Sequence, residues 1–489
     1  MDDYRMIENK KSTALFGLIW SLVSQFGTLG LSFISNIILA RLLSPSDFGC
    51  IGMLMVFVAL ANTFVDGGLG AALVQKKNPT ETDFLTVFSF NVALSITIYI
   101  VLFISAPVVA DFYRLEILSD ILRVQGIILF INALRIVKYN NLMKMLKFKQ
   151  LAVCELLSSA LGCATGIVLA YRGAGVWSLV VNNIMYAIVF IISINFVDRT
   201  TKVGLKFNVH AFKSLFSFGG LILLSNLIDT ASKNIQSLVI GRIFNISQLG
   251  FYSQAEKLQS IPVMGISKSI NGVFFPVFSE IQDDKKRLCN ALLKSTNMLT
   301  YFSFPIMAIL ILIAYPLIGL VYSERWLPSV PFFQVLCLAG MIIPVNLMNL
   351  NIIRSVGKGK IYLFMQTFQF IVGLLGVLIG SRWGINGLLM GSVVAIYLYF
   401  ICILFINNRV IGLNFVEQIK NLSGNGFVTL IAFSITYYAL LQFGDISLSR
   451  YTVLSISIFV LIYISVSALL KVKGFVNTIN FIKDKQNEY

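Results

Sequence analysis

Apolar residues run along the whole chain in stretches of about twenty, parted by short polar breaks. Wound as an α-helix with about 1.5 Å rise per residue, each stretch is long enough to cross a hydrocarbon core of about 30 Å. Fourteen spans are predicted, at 14–40, 49–73, 84–110, 118–137, 151–171, 175–197, 214–240, 249–275, 289–320, 330–353, 361–381, 385–407, 426–443 and 451–470. Pro262 predicts a kink within the eighth. The breaks leave no room for a separate soluble domain. Residues 1–12 carry charges of both signs and run into the first span without an A-x-A-like site, so an uncleaved first helix is expected.

The polar breaks differ sharply in charge. Alternate breaks, beginning with the N-terminus and ending with the tail, hold 27 lysines and arginines, among them Arg135, Lys138, Lys144, Lys147 and Lys149. The other set holds eight: Arg41, Arg114, Arg123, Arg172, Arg242, Arg325, Arg382 and Arg450. Cytoplasmic loops carry the lysine and arginine excess, so both termini are expected inside and the span count even. The formal charge of +16 is then a topology signal with some attraction to anionic headgroups, and nucleic acid is not an expected partner. Lys233, Lys257 and Lys268 fall in neither set; they lie inside spans seven and eight.

An internal repeat emerges from the order of the breaks. Arg41 and Gly49 recur as Arg242 and Gly250, at an offset of 201. Asn141 and Lys144 recur as Asn351 and Arg354 at 210, and Gly175 as Gly384 at 209. The offset equals six spans, and an even number restores orientation, so the halves are expected as parallel repeats about an axis along the membrane normal. The expected fold is an all-α integral membrane protein. It has a six-helix lobe at 1–200, a second at 201–410, and two added helices with a cytoplasmic tail at 411–489. Two such lobes with a site between them suit an alternating-access transporter.

Composition agrees: 57% of residues are hydrophobic and 12% charged, with a mean hydropathy of +0.84, whereas soluble domains carry roughly 25% charge. Six scattered cysteines, no CxxC pair and the single His210 leave no metal site, cofactor, disulfide framework or histidine catalysis to expect. The segment 357–360, Gly-Lys-Gly-Lys, lacks P-loop spacing, and Asp283-Asp284 is a solvated turn before a basic run. No catalytic residue is predicted.

The run Ile38-Leu39-Ala40-Arg41-Leu42-Leu43-Ser44-Pro45-Ser46-Asp47-Phe48-Gly49 resembles the first-helix signature of the Wzx-type polysaccharide flippases. So does Asp66-Gly67-Gly68-Leu69-Gly70-Ala71-Ala72-Leu73-Val74-Gln75 at the end of span two. Those flippases belong to the multidrug/oligosaccharidyl-lipid/polysaccharide exporter superfamily. The resemblance implies a lipid-linked oligosaccharide as cargo, a glycan on polyprenyl pyrophosphate. It would be flipped from the cytoplasmic to the periplasmic leaflet of a bacterial inner membrane for capsule, exopolysaccharide or O-antigen assembly. It also implies membrane lipid, a polysaccharide polymerase and a chain-length regulator as partners.

Ionisable groups at membrane depth are costly and face a cavity or a partner. Asn226, Asp229, Lys233 and Gln236 share one face of span seven, with Asp229 and Lys233 spaced to pair. Lys257 and Lys268 lie eleven residues apart on span eight, about 16 Å along one face. Span one, the repeat partner of span seven, has an uncharged polar stripe that includes Gln25 and Thr28. With a pyrophosphate cargo, the three lysines would give a shared cleft a positive potential. The plain alternative is that Lys257 and Lys268 snorkel to the membrane faces and Lys233 only neutralises Asp229. Asp66, Asp229 and Glu256 are candidates for ion coupling, although Asp66 also suits a helix end beside close-packed glycines. Glu155 is expected to pair with Lys149 at the interface. Arg41 and Arg242 are expected as helix C-terminal charges. On this reading the buried cations belong to the second half, and the first carries mainly hydroxyls and amides.

Two other functions compete. A cation-coupled multidrug exporter of the same superfamily would favour buried acids and twelve spans. A membrane glycan polymerase or ligase would need a large outer loop, which the short outer breaks cannot supply. The sided topology is checked with single cysteines placed at Lys144 and Arg325: a membrane-impermeant thiol reagent added outside should label position 325 and spare 144. Labelling at 144 would overturn the orientation.

Overall fold

A computed structural model describes residues 2–442 and 447–486, with side chains left undescribed at 2–15, 18, 218, 221, 268–273, 275, 276 and 480–486. Among the described residues the chain is helical and contains no strand. It divides into two compact units, Met1–Gly250 and Phe251–Tyr489. The first contains α1 (Asp2–Leu42), α2 (Pro45–Asp66), α3 (Leu69–Gln75), α4 (Glu81–Tyr113), α5 (Ile117–Lys144), α6 (Phe148–Tyr171), α7 (Trp177–Val197), α8 (Val209–Ile243) and the first turn of α9 (Ile246–Glu280). The second contains the rest of α9, then α10 (Lys285–Leu312), α11 (Ala314–Val321), α12 (Val330–Ser355), α13 (Gly359–Gly380) and α14 (Gly384–Ile411). It ends with α15 (Phe415–Gln442), α16 (Leu448–Leu469) and α17 (Lys473–Gln486).

Eleven stretches among the described residues are long and apolar enough to cross a membrane, or twelve if α8 counts with its 56° bend between Ser217 and Ile222. One of the eleven, Gly359–Ile411, holds two helices, α13 and α14, folded back on each other. α9, expected as the eighth span, is not in the set. Its polar positions, Gln254, Glu256, Lys257 and Gln259 among them, lower its hydropathy.

Local chemistry sets the helix ends. Ser44 caps α2 and Asp47 answers it with a bond to the Ser44 backbone, while Pro45 supplies a preset φ in the first turn. Thr80 and Asp83 repeat the box at α4, and the Lys76 Nζ adds an ion pair of 2.7 Å to Asp83. Between α2 and α3 the chain turns on two left-handed residues, Gly67 at φ +58° and Gly68 at φ +66°. Glycine alone takes that conformation without strain. Beyond α7, the Asp198 carboxylate accepts bonds from the backbone and hydroxyls of Thr200 and Thr201. Burial pushes the Asp198 pKa up, but these donors outweigh it and hold the group below the ordinary carboxylate range.

In lipid, helices associate through close packing of small residues and through polar glue. Both appear. At the start of α2 and of α9 two chain segments cross backbone to backbone. A Cβ on Gly49 would lie 2.1 Å from the Ile246 carbonyl oxygen, and one on Gly250 would lie 1.9 Å from that of Pro45. The two glycines are the repeat pair at offset 201, and so are Pro45 and Ile246, so the crossing is reciprocal. The hairpins α6–α7 and α13–α14 are likewise built alike. Gly166 abuts Asn182 and the Ser178 carbonyl, and Gly376 abuts the Gly391 carbonyl. In the second unit, α15 is bound to α10 by amides. Asn297 donates to the Asn421 carbonyl at 2.7 Å, and Asn425 donates to the Asn297 carbonyl and to Thr300 Oγ1 at 2.8 Å each. Tyr463 of α16 donates to the Tyr301 carbonyl at 2.8 Å.

Gly49→Ala and Gly250→Ala should each destabilise the detergent-solubilised protein by about 1–3 kcal/mol through overpacking. The double variant should cost less than the sum, because one crossing opens once. Gly373→Ala, whose Cβ meets nothing within 4 Å, is the control. Thermal unfolding of the four proteins checks this, and additive losses would contradict a shared crossing.

Candidate functional site

The polar face predicted on span seven lies on α8. The Lys233 ammonium sits 2.6 Å from Asp229 Oδ2, with the lysine side chain 71% exposed and the aspartate 45%. Asn226 is also exposed and Gln236 half-buried. Lys233 is ten residues from the end of α8, about 15 Å by helix rise. In α9, Tyr252 is buried and its hydroxyl donates to Glu256 Oε1 at 3.1 Å. Lys257 beside it is exposed, eleven residues from the start of the helix. Lys268 lies outside the residues whose side chains are described. On α1, Gln25 is half-buried, and the Thr28 hydroxyl bonds back to the Ser24 carbonyl at 2.7 Å and the Gln25 carbonyl at 3.2 Å. Thr28 thus spends its donor on its own helix.

Asp66 belongs to a larger assembly. It is half-buried at the end of α2, close enough to Arg135 of α5 for the two charges to interact. The Arg135 guanidinium lies over the Phe190 ring of α7, 4.6 Å from its centroid, and is close enough to Tyr186 of the same helix to interact electrostatically. Glu155 of α6 accepts a bond from Ser24 of α1 and faces Tyr139 and Tyr186 electrostatically. Asn132 of α5 donates to Asn62 of α2 at 2.8 Å, and Thr63 meets Thr230 of α8 at 3.0 Å. The guanidinium thus interacts with Asp66, Tyr139 and Tyr186, and Glu155 interacts with the same two phenols from α6.

Several expectations change here. Arg135 and Lys138 were counted among the loop cations. Both lie in α5, and the Lys138 ammonium is buried against the Asp198 carbonyl at 2.9 Å. Lys144 also turns inward, bonding the carbonyls of Leu73, Val74 and Lys76 at the end of α3. Glu155 takes Ser24 in place of Lys149, which lies over the Trp20 ring at 5.5 Å. The first half, expected to carry mainly hydroxyls and amides, also holds Asp66, Arg135 and Glu155 within its helices. The signal was present: all three residues fall inside predicted spans. Arg242, exposed in the last turn of α8, lies 4.8 Å from the Phe112 ring centroid.

Comparison with known proteins gives one family match: residues 38–331 match a family described as "Polysaccharide biosynthesis protein". Among relatives, the succinoglycan biosynthesis transport protein ExoT of Rhizobium meliloti (strain 1021) is 27% identical over 74% of this chain and 73% of its own. The lipopolysaccharide biosynthesis protein WzxC of Escherichia coli (strain K12) is 22% identical over 85% of this chain and 83% of its own. In fold, the chain is similar to a lipid II flippase, MurJ, in an inward closed conformation. That match has a TM-score of 0.76 and 17% identity, over 93% of this chain and 98% of that one. It is also similar to an inward-facing multidrug resistance MATE family transporter of the MOP superfamily, with a TM-score of 0.62 and 17% identity, over 80% and 98%.

Removing the Arg135 charge takes from Asp66 the cation that faces it. Arg135→Met should cost about 1–3 kcal/mol, and Arg135→Lys should recover part of it, because an ammonium keeps the charge but loses the planar stack on Phe190. Thermal unfolding of the purified protein is the measurement, and an Arg135→Met protein as stable as the parent would disprove a structural charge there.

Proposed function

This chain belongs to the polysaccharide biosynthesis protein family, and we propose that it is a flippase for a lipid-linked oligosaccharide, not an enzyme. Its cargo is an undecaprenyl-pyrophosphate-linked repeat unit, moved by alternating access from the cytoplasmic to the periplasmic leaflet of a bacterial inner membrane for surface polysaccharide assembly. Both termini face the cytoplasm.

One observation supports this reading: Lys233 of α8 and Lys257 of α9 are exposed. A charge facing hydrocarbon at the membrane centre costs about 2.5–3.5 kcal/mol or more, so on this reading each lysine faces a wet path. Cationic groups on such a path suit a pyrophosphate. Asn226 and Gln236 supply neutral hydrogen bonds to sugar hydroxyls, with Gln25 and Thr28 as the matching positions on α1 and Lys268 as a third cation. Asp229 holds Lys233 in place between cargoes and releases it to phosphate. Asp66, set against Arg135, and Glu256, set against Tyr252, are the groups whose protonation would couple transport to an ion gradient. A polysaccharide polymerase and a chain-length regulator would receive the product.

Lys233→Gln and Lys257→Gln should each lower surface polysaccharide about tenfold or more in a complemented flippase-null strain, as loss of one charge-assisted contact predicts. The lipid-linked repeat unit should accumulate in the inner leaflet while membrane levels of the protein stay unchanged. Export at the parental level by both variants would sink the assignment.

A further inference from the structure

α13 and α14 form a hairpin joined by residues 381–383, and the two helices meet most closely beside that junction. Gly376 and Gly380 on one face Gly391 and Gly387 on the other. A Cβ on Gly380 would lie 2.3 Å from the Gly387 carbonyl oxygen, and one on Gly391 would lie 2.1 Å from that of Gly376. This is small-residue packing at four-residue spacing, which lets membrane helices touch along their backbones. Further from the junction the facing positions are large, and the helices enclose a groove of about 470 Å³. Phe368 and Val372 of α13 form one wall. Leu398, Ile401, Cys402 and Phe405, at helical spacing on α14, form the other. Leu398 is 50% exposed and Phe405 53%, so the groove opens along the side of the helix pair.

At the end remote from the glycines the α14 stripe finishes on Arg409, which also lines the groove. Its side chain is exposed in the last turn of the helix. Among the described residues no carboxylate lies within ion-pair distance of it. The same end of the hairpin carries Lys358 and Lys360 at the start of α13, whereas the junction carries only Arg382. From Leu398 to Arg409 the helix rises about 16 Å, half of a hydrocarbon core of about 30 Å. The groove is thus apolar, one leaflet deep, shut at its inner end by glycine packing and topped by the Arg409 guanidinium.

We propose that this groove binds an anionic glycerophospholipid, with one acyl chain between α13 and α14 and the phosphate on Arg409. A guanidinium engages phosphate oxygens in pairs, and the lysines nearby raise the local concentration of anionic headgroups. A polyprenyl chain is several times longer than an acyl chain and would run against the glycine closure, so the occupant is membrane lipid and not cargo. This site shares no residue with the lysines of α8 and α9, and its occupancy does not depend on what the protein transports.

The test is photolabelling of the full-length protein in mixed micelles, with a diazirine on the acyl chain of phosphatidylglycerol or phosphatidylcholine, or on a polyprenyl phosphate, followed by peptide mapping. Phosphatidylglycerol should label residues 398–409 about tenfold more than phosphatidylcholine, the factor expected of one charge-assisted contact. Arg409→Gln should bring labelling down to the phosphatidylcholine level, while Arg409→Lys keeps most of it and Arg382→Gln all of it. Should Arg409→Gln elute as an aggregate, Cys402→Trp, which fills the groove, should remove labelling by every probe. Equal labelling by the two phospholipids, a preference for polyprenyl phosphate, undiminished labelling of Arg409→Gln, or persistence in Cys402→Trp would each overturn the proposal.

Discussion

Helices in a bilayer gain little by hiding apolar surface from one another, because the lipid around them is as apolar as they are. They must also satisfy every backbone polar group within themselves. What remains to hold them is how closely two backbones can approach and which few polar side chains can reach across. The architecture of this chain follows those two means. Gly49 and Gly250 admit a carbonyl to the helix axis of a partner, as do Gly376, Gly380 and Gly391. Elsewhere Asn297, Asn421 and Asn425 stitch α10 to α15 with amides. The large exposed apolar residues, Ile104 and Leu461 among them, are then the ordinary surface of a lipid-facing protein.

The halves of the repeat use the same frame for different chemistry. Arg135, Tyr139 and Glu155 stand, at an offset of 210, where the second half has Val345, Asn349 and Met365. Met365 is fully buried in an apolar cluster with Tyr399 and Ile403, whereas Glu155 draws a hydroxyl from α1. Equivalent positions therefore hold a hydrogen-bonded carboxylate in one half and a buried apolar side chain in the other. The difference between the halves thus reaches the interior of the first unit as well as α8 and α9.

Much of the fold was legible because hydropathy and charge alternation are set by the solvent and need no knowledge of packing. Helix ends marked by Ser44–Asp47 and Thr80–Asp83 were equally open to inspection, since capping is local. The spacing of Asp229 and Lys233 announced their pairing for the same reason. Arg135 was misplaced because proximity to a basic cluster looks the same in sequence whether the helix has ended or runs on for nine more residues. The groove of α13 and α14 was invisible for a different reason. It depends on where two glycine pairs meet in space, and a glycine in an apolar run carries no sign of what will press against it.

The reciprocal crossing of α2 and α9 has a mechanical consequence. A side-chain contact can be loosened by degrees, one rotamer at a time, but a carbonyl oxygen fixed in a helix cannot turn aside. Each glycine at this crossing is seated against such an oxygen, and the two seats are copies of each other. Lifting one helix unseats both at once, and no intermediate posture retains half of the contact. The crossing therefore behaves as a snap fastener, whose two-position character is written into the backbone and not into any side chain that a substitution could soften.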